Sequence, residues 1–238
     1  MPVTVVPVTD AGQGGTLAGT HEGKPGLPRG RSSLPLPAVR AAQRERLLRS
    51  VIAAVSASGY PAVTVADIVR RARVSRAAFY VHFADKEDCF LAATAAGRDL
   101  MISRVLSATR AVPPGAGDEE VLRAAFRAYL AFLAAEPAFA RVFYIHMPTA
   151  GPRAVDRLDA ASRLFAALNQ SWHRRARERH PQWPPVPPEA YLALAGATAE
   201  LVRSMVRAGR TSSVAELEEP LVSLHLAVLA ARPWPAAT

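Results

Sequence analysis

Three helix-start signals fall within little more than twenty residues, and no other part of the chain restricts its fold so tightly. The first is Thr64 with Asp67 three positions later. A threonine hydroxyl at such a place accepts a hydrogen bond from the third amide of the helix, and the carboxylate reaches back to the amide of the cap. The second signal is Ser75, and the third is Asp85 followed by Asp88. Each start requires that the preceding helix has ended. The spacing therefore predicts a short helix over residues 65–71, a second from Ser75 and a third from Asp85, joined by sharp turns. Val65, Ile68 and Val69 give the first of these one apolar face, Val74 falls in the turn, and Ala78 and Phe79 follow where the second helix packs on the first. Two short helices joined by a three- or four-residue turn form a helix-turn-helix unit, whose second helix can enter the major groove of DNA.

Charge agrees with that reading. The 238 residues carry a formal net charge of +9, which suits a polyanionic partner, either nucleic acid or an acidic membrane surface. Residues 1–98 hold thirteen Lys or Arg against seven Asp or Glu, and residues 99–238 hold sixteen against thirteen. Between Ile68 and Ala84 there is no acidic residue, while Arg70, Arg71, Arg73 and Arg76 are present. A solvated face is the competing explanation for Arg70 and Arg71.

Half the residues are apolar, β-branched runs are short, and no strand pattern or repeat is found, so an all-α protein is expected. Residues 1–38, rich in Pro and Gly, read as an unstructured tail from which Arg29 and Arg31 can brush a phosphate backbone. From Val39 onward Leu48, Val51 or Ile52, and Val55 recur at helical spacing, and Gly59 supplies a stop. Leu91, Leu100, Met101 and Val105 carry a long helix to about Arg110, where VPPGAG breaks it. Asp118 is expected to cap a helix holding Phe126, Tyr129, Leu130 and Leu133, and Pro137 suits the first turn of a short one. Val155, Leu158, Phe165, Leu168 and Trp172 mark a long helix ending in HRRARERH, a basic run that the helix dipole favours at that end. After the stiff linker PQWPPVPP come helices over 189–208 and 220–231, the last started at Pro220. The expected division is a tail (1–38), a three-helix helix-turn-helix domain (39–90) and a larger helical domain (91–232) for ligand binding and dimerisation.

The lone Cys89 forms no internal disulfide, no Cys/His zinc spacing exists, and the residue reads as a small core group. The amino terminus lacks a signal-peptide pattern, and no stretch has the roughly 18 uninterrupted apolar residues of a membrane span. A cytoplasmic protein with no membrane partner, metal or cofactor is expected. There is no Gly-rich phosphate loop, no Gly-x-Ser-x-Gly and no His-x-x-x-His, and His146, His173, His180 and His225 share no ligand spacing, which argues against an enzyme. A sequence-blind architectural DNA protein is the other rival, but it has no need of some 130 further residues with apolar helices of their own.

Residues 64–90 resemble the amino-terminal domain of the TetR family of bacterial regulators. The matching positions are Ile68, Ala72, Val74, Ser75, Phe79, Tyr80, His82, Phe83 and Lys86, and the likeness extends over about residues 40–95. The family usually has Gly where this chain has Arg73, a turn position that favours a left-handed backbone. The resemblance implies that Thr64 and Ser75 offer hydroxyls and amides to phosphates, that Tyr80 and His82 meet the backbones flanking the groove, and that Lys86 is a point charge at a phosphate. Only two lysines occur among the 29 basic residues, so a lysine at this motif position stands out. Arg76 is the one long donor at the start of the recognition helix and suits a bidentate contact to guanine, while Ala77, Ala78 and Val81 suit thymine methyls.

For the remainder, the resemblance implies a homodimer that encloses a pocket for a small-molecule effector, binds a double-stranded DNA operator, and acts most often as a repressor, with activation or effector-independent regulation as alternatives. Leu194, Leu201, Val202, Met205, Leu221 and Leu224 form broad apolar faces on the last two helices, which a two-fold axis converts into a four-helix bundle. Intramolecular core is the competing explanation. Phe126, Tyr129, Phe143, Tyr144, His146, Met147, Phe165 and Trp172 are the candidate pocket lining, with a filled aromatic core as the alternative.

Overall fold

The computed structural model describes residues 17–21 and 35–230. The other residues, Arg29 and Arg31 among them, lie outside that description. The described residues are mostly helical, with nine α-helices and no strand among them.

Helix α1 spans Leu36–Ser58, with Pro37 in its first turn, and so begins three residues ahead of the expected boundary. Its stripe of Leu47, Val51, Ile52 and Val55 is buried, and Gly59, at φ 79°, ends it. Helix α2 (Val65–Ala72) carries the expected capping box: the Asp67 amide donates to Thr64 Oγ1 at 3.2 Å and the Thr64 amide to Asp67 Oδ2 at 3.0 Å. At its other end the Val74 amide donates to Val69 O and the Arg73 amide to Arg70 O, a paired closure that forces Arg73 into the left-handed region. Ser75 caps α3 (Arg76–His82) by accepting from the Ala78 amide, and Asp85 caps α4 (Lys86–Ala111) by accepting from the Asp88 amide. Ile68, Ala72, Phe79 and Phe83 close these short helices onto α1 in a common core.

Helix α4 leaves this head and packs along α5 (Asp118–Ala135). At Glu136 the chain bends by 97° into α6 (Pro137–Arg141), which runs on through a π-helical turn (Val142–His146) and a 3₁₀ turn (Met147–Thr149). Helices α7 (Pro152–Arg179) and α8 (Pro188–Arg207) pack against each other. A 3₁₀ segment (Thr211–Leu217) leads into α9 (Glu218–Leu229), which lies on α5. Pro220 is thus in the first turn of α9 rather than at its start, a position where its missing amide breaks no helical bond.

Three expectations are corrected. Asp118 does not cap α5. Gly117 precedes the helix, and the buried Asp118 carboxylate accepts from Arg179 and lies 3.1 Å from His180 Nε2, so it joins the start of α5 to the end of α7. The basic run therefore includes an ion pair as well as dipole-favoured charge. Next, Leu194, Val202, Met205 and Leu221 are buried inside one protomer, and Leu224 is half-buried, because α9 uses its apolar face on α5. Of the six residues assigned to a dimer face, Leu201 alone is exposed, at 37 %. Finally, residues 17–21, expected to be unstructured, hydrogen-bond to α1, α2 and Glu136. No single helix among the described residues is long and apolar enough to cross a membrane.

Candidate nucleic-acid interface and internal cavity

The Ser75 cap fixes which end of α3 points outward. Arg76, Ala77, Tyr80 and Val81 are exposed on it and Ala78 is half-buried, while Phe79 turns inward and is fully buried. Val81, at 62 % exposed, and Tyr80, at 49 %, are large side chains left exposed among the described residues. The Arg76 guanidinium lies 5.8 Å above the Tyr80 ring and donates to Tyr80 Oη at 3.4 Å, so in the free protein the candidate base reader rests on the candidate backbone contact. An exposed cation–π pair contributes about 0.5–1 kcal/mol, which a bidentate contact to a base exceeds.

Thr64 and Ser75 both sit at helix starts, but their surroundings differ. The Thr64 hydroxyl donates to Asp67 Oδ2 at 2.6 Å, and those two hydrogen bonds from Thr64 hold the Asp67 carboxyl below its usual range. A carboxylate kept ionised beside the amides of α2 opposes a phosphate there. Ser75 has no acid in its first turn and leaves its hydroxyl proton available.

His82 is half-buried, with Nε2 3.4 Å from Gln43 Oε1 of α1. Burial, then the cations Arg44 and Arg40, push its pKa down and keep it neutral near pH 7. Arg40 and Arg44 are exposed, and Arg44 also lies over Phe83, so α1 adds positive charge beside the recognition helix. Sequence reasoning missed these two because α1 was read only for its apolar stripe.

Lys86 is placed differently from expectation. Its Nζ donates to Tyr60 O at 3.0 Å and Val63 O at 2.8 Å and sits 4.2 Å above the Tyr60 ring. The lysine fastens the α1–α2 loop to the start of α4, which leaves one of its three N–H groups for a phosphate.

Arg73 is the one non-glycine residue with positive φ (53°) among the described residues, and it is exposed. A left-handed backbone costs a side-chain-bearing residue about 1–2 kcal/mol. Arg73→Gly is therefore expected to stabilise the fold by about 1 kcal/mol, after the larger conformational entropy of glycine in the unfolded chain is set against the relieved strain. A rise in the urea midpoint at unchanged slope is the check.

In the body, α4, α5, the turns over 142–149, α7, α8 and α9 enclose a cavity of about 430 Å³. Phe126, Tyr129, Phe143, Tyr144, Phe165 and Trp172 line it as expected from sequence, but His146 and Met147 do not. His146 faces the α1–α2 loop at Gly59, and Met147 is buried in the core. Leu158, Leu168 and Ile102 add aliphatic surface. The polar groups in the wall are few. Tyr129 and Tyr144 share a 2.5 Å hydrogen bond between their hydroxyls, and burial raises both pKa values, that of Tyr144 to about 12. Each has one proton, and one of the two is used between them. His225 donates from Nδ1 to Leu221 O at 2.8 Å, which leaves Nε2 to accept from Asn169 Nδ2 at 3.4 Å. Burial pushes its pKa down to about 4, so the ring is neutral. The Thr198 hydroxyl is buried with no partner among the described residues. Asn169, Thr198 and His225 were missed from sequence. The signal was a single polar residue on an otherwise apolar stripe, as His225 is between Leu221 and Leu229. The charged lining residues are Arg175, Glu200 and Arg203, and the last two pair with each other.

Residues 52–93 match the family of bacterial regulatory proteins named for tetR. No curated protein sequence matches the chain. Among solved structures, the fatty acid degradation regulator FadR of Bacillus halodurans superposes with a TM-score of 0.68 at 17 % identity, over 76 % of this chain and 97 % of that one. FadR of Bacillus subtilis in complex with stearoyl-CoA gives 0.68 at 14 % identity, over 77 % and 98 %. A tetR-family regulatory protein from Rhodococcus RHA1 gives 0.62 at 21 % identity, over 79 % and 97 %. Residues 52–93 are thus similar to the amino-terminal domain of that family, and the helical body shares its fold with these solved structures.

Proposed function

We propose that the chain is a dimeric, sequence-specific repressor in the cytoplasm, released from its operator by a small apolar effector. In this reading residues 39–90 are the DNA-reading head and residues 91–232 bind effector and dimerise. The observation that carries it is the course of α4. One helix begins at Lys86 inside the head and supplies Ile102, Val105, Leu106 and Thr109 to the cavity wall. A ligand that displaces that wall tilts a rod whose other end holds the recognition helix. The shift must come from different affinities for two arrangements, a coupling of about 1–3 kcal/mol between such sites. Arg76 reads a base, Ala77, Ala78 and Val81 meet thymine methyls, and Ser75, Tyr80 and His82 hold phosphates, with Arg40 and Arg44 adding to the backbone contact. Thr64 and Lys86 contribute less, because their side chains are engaged within the head.

The cavity's apolar wall and neutral polar groups suit an aliphatic or aromatic compound. The stearoyl-CoA bound by FadR of Bacillus subtilis makes acyl-CoA esters of graded chain length the first compounds to test by thermal shift.

A gel-shift series on an operator selected from random DNA tests the DNA reading. Arg76→Ala is expected to weaken the operator by about 1–3 kcal/mol and relax preference at one base pair in each half-site. Affinity should also fall steeply with salt as counterions are released. Unchanged preference in Arg76→Ala removes that residue from base reading.

The dimer face lies on α7 and α8 rather than α8 and α9. Val155 and Leu164 of α7 and Leu192 and Leu201 of α8 are the large apolar side chains that the body leaves exposed. Leu192→Glu with Leu201→Glu is expected to give a monomer by light scattering, since an unpaired charge resists burial. A dimer that survives both changes places the interface elsewhere.

A further inference from the structure

Residues 17–21 lie across the joint between head and body, with each end held by a different part. At one end the Leu17 amide donates to Glu136 Oε2 at 2.6 Å. Glu136 is buried at the 97° bend between α5 and α6. In the middle the Gly19 amide donates to Arg49 O at 3.2 Å, and Gly19 O accepts from Ser50 Oγ at 3.5 Å, both on α1. At the other end the His21 amide donates to Arg71 O at 2.7 Å, in the last turn of α2. Leu17, Gly19 and His21 each donate a backbone amide to a neighbouring element, as in an extended chain laid on a surface. Leu17 and Ala18 also pack on the apolar core.

We propose that this segment is a strap that holds the DNA-reading head on the cavity-bearing body and carries movement of the α5–α6 bend to the recognition unit. The bend lies between two stretches of the cavity wall: Tyr129 precedes it on α5, and Phe143 and Tyr144 follow it. Arg71 stands immediately before the Arg73–Ser75 turn that aims α3. An extended chain spans at most about 3.3–3.6 Å per residue, so five residues bonded at Leu17, Gly19 and His21 form a short link. Displacement of Glu136 therefore pulls on α1 through Gly19 and on Arg71 through His21, or breaks the bond at Leu17. The strap works in parallel with α4, and the inference rests on the reading of the chain as a DNA-binding regulator.

The test removes one amide donor at a time in the full chain. Leu17→Pro deletes the bond to Glu136, and His21→Pro deletes the bond to Arg71. Each is expected to weaken operator binding about five- to tenfold at a temperature where the protein stays folded, the lower end of coupling between sites. The double variant is expected to lose no more than Leu17→Pro alone, because once the bond to Glu136 is cut the segment no longer joins head to body. Additive losses, or affinities within twofold of the parent, overturn the strap. Amide exchange in the free protein is the second readout. The Gly19 and His21 amides are expected to be protected, and Leu17→Pro should speed exchange at the Arg73–Val74 turn. Unprotected strap amides, or a turn indifferent to Leu17→Pro, also overturn it. A parent protein that binds no selected DNA but shows the expected exchange pattern refutes the regulatory reading and leaves the strap standing.

Discussion

Gly97→Ala is expected to destabilise the protein by about 2 kcal/mol, although alanine is the better helix former by about 1 kcal/mol. Gly97 lies in mid-helix on α4, where glycine has no conformational advantage. Its neighbour explains it. A Cβ there meets Phe139 of α6 at 2.2 Å from Cε2, 2.6 Å from Cδ2 and 2.8 Å from Cζ. The Phe139 ring has nowhere to go: it is fully buried, stacked on Phe143 at 5.6 Å and edge-on to Phe132 at 5.9 Å. Overpacking a filled core costs about 1–3 kcal/mol, and the upper end applies to three short contacts on one rigid ring. In a Phe139→Leu background the same glycine change should be neutral or mildly stabilising, which gives a coupling of more than about 1 kcal/mol between the two positions. Urea unfolding at fixed protein concentration measures both limbs. Additive effects show that the approach of α4 to α6 is not what requires glycine.

What could be read in the sequence follows from the range of each interaction. The caps at Thr64, Ser75 and Asp85 bond to amides three residues on, so local spacing alone predicts them. The Arg73 departure was legible for the same reason, because the turn closes on Val69 and Arg70. The intramolecular partners of Lys86 and Asp118 were not legible because they are distant in sequence. Lys86 meets carbonyls 26 and 23 residues upstream, and Asp118 meets Arg179, 61 residues downstream. A lysine at a helix start looks like a free charge, and an aspartate in a first turn looks like a cap, until the facing element is known.

The apolar faces show a similar limit. The stripe of Leu221 and Leu224 on α9 states that a surface is buried without stating against what, and α5 turns out to be the partner. Once α9 is used within the body, the large apolar side chains left exposed on the described body are those of α7 and α8, the face proposed above for a second copy. The strap was invisible for the opposite reason. Its bonds are made by backbone amides, which every non-proline residue has, so a Pro- and Gly-rich segment gives no periodic sign of docking. In the cavity, the aromatic lining was legible from helical spacing. Asn169, Thr198 and His225 were not, because one polar residue on an apolar helix reads as an interruption until neighbouring helices surround it.

The His225 ring should make stability fall as pH drops from 6.5 toward 4. Burial holds its folded-state pKa at about 4, against an ordinary value of 6.5. The surroundings offer no counter-charge: Leu221 O accepts from Nδ1, Asn169 Nδ2 donates to Nε2, and the Phe126 ring lies 4.7 Å away edge-on. The sign follows from proton counting. Between those two pKa values the unfolded chain binds a proton at this histidine and the folded protein does not, so acidification favours unfolding. The loss begins near pH 6.5, reaches about 3 kcal/mol near pH 4, and does not grow further below that from this group. His82, His146 and His173 are shifted in the same direction by burial and add smaller slopes of the same sign. The depressed carboxyls Asp67, Glu200 and Glu219 act only as pH falls through and below their ordinary values of 3.8 to 4.5, and the Glu136 carboxyl, raised by burial, acts in the opposite direction, so comparison of the parent with a single histidine variant isolates His225 between pH 7 and 5. His225→Gln keeps a hydrogen-bonding side chain in the cavity wall but cannot titrate. Its unfolding free energy should therefore decline less between pH 7 and 5 than that of the parent, by about 1–2 kcal/mol. Parallel declines in the two proteins would show that His225 is protonated as readily when folded as when unfolded, and that the cavity wall is wetter than its apolar lining implies.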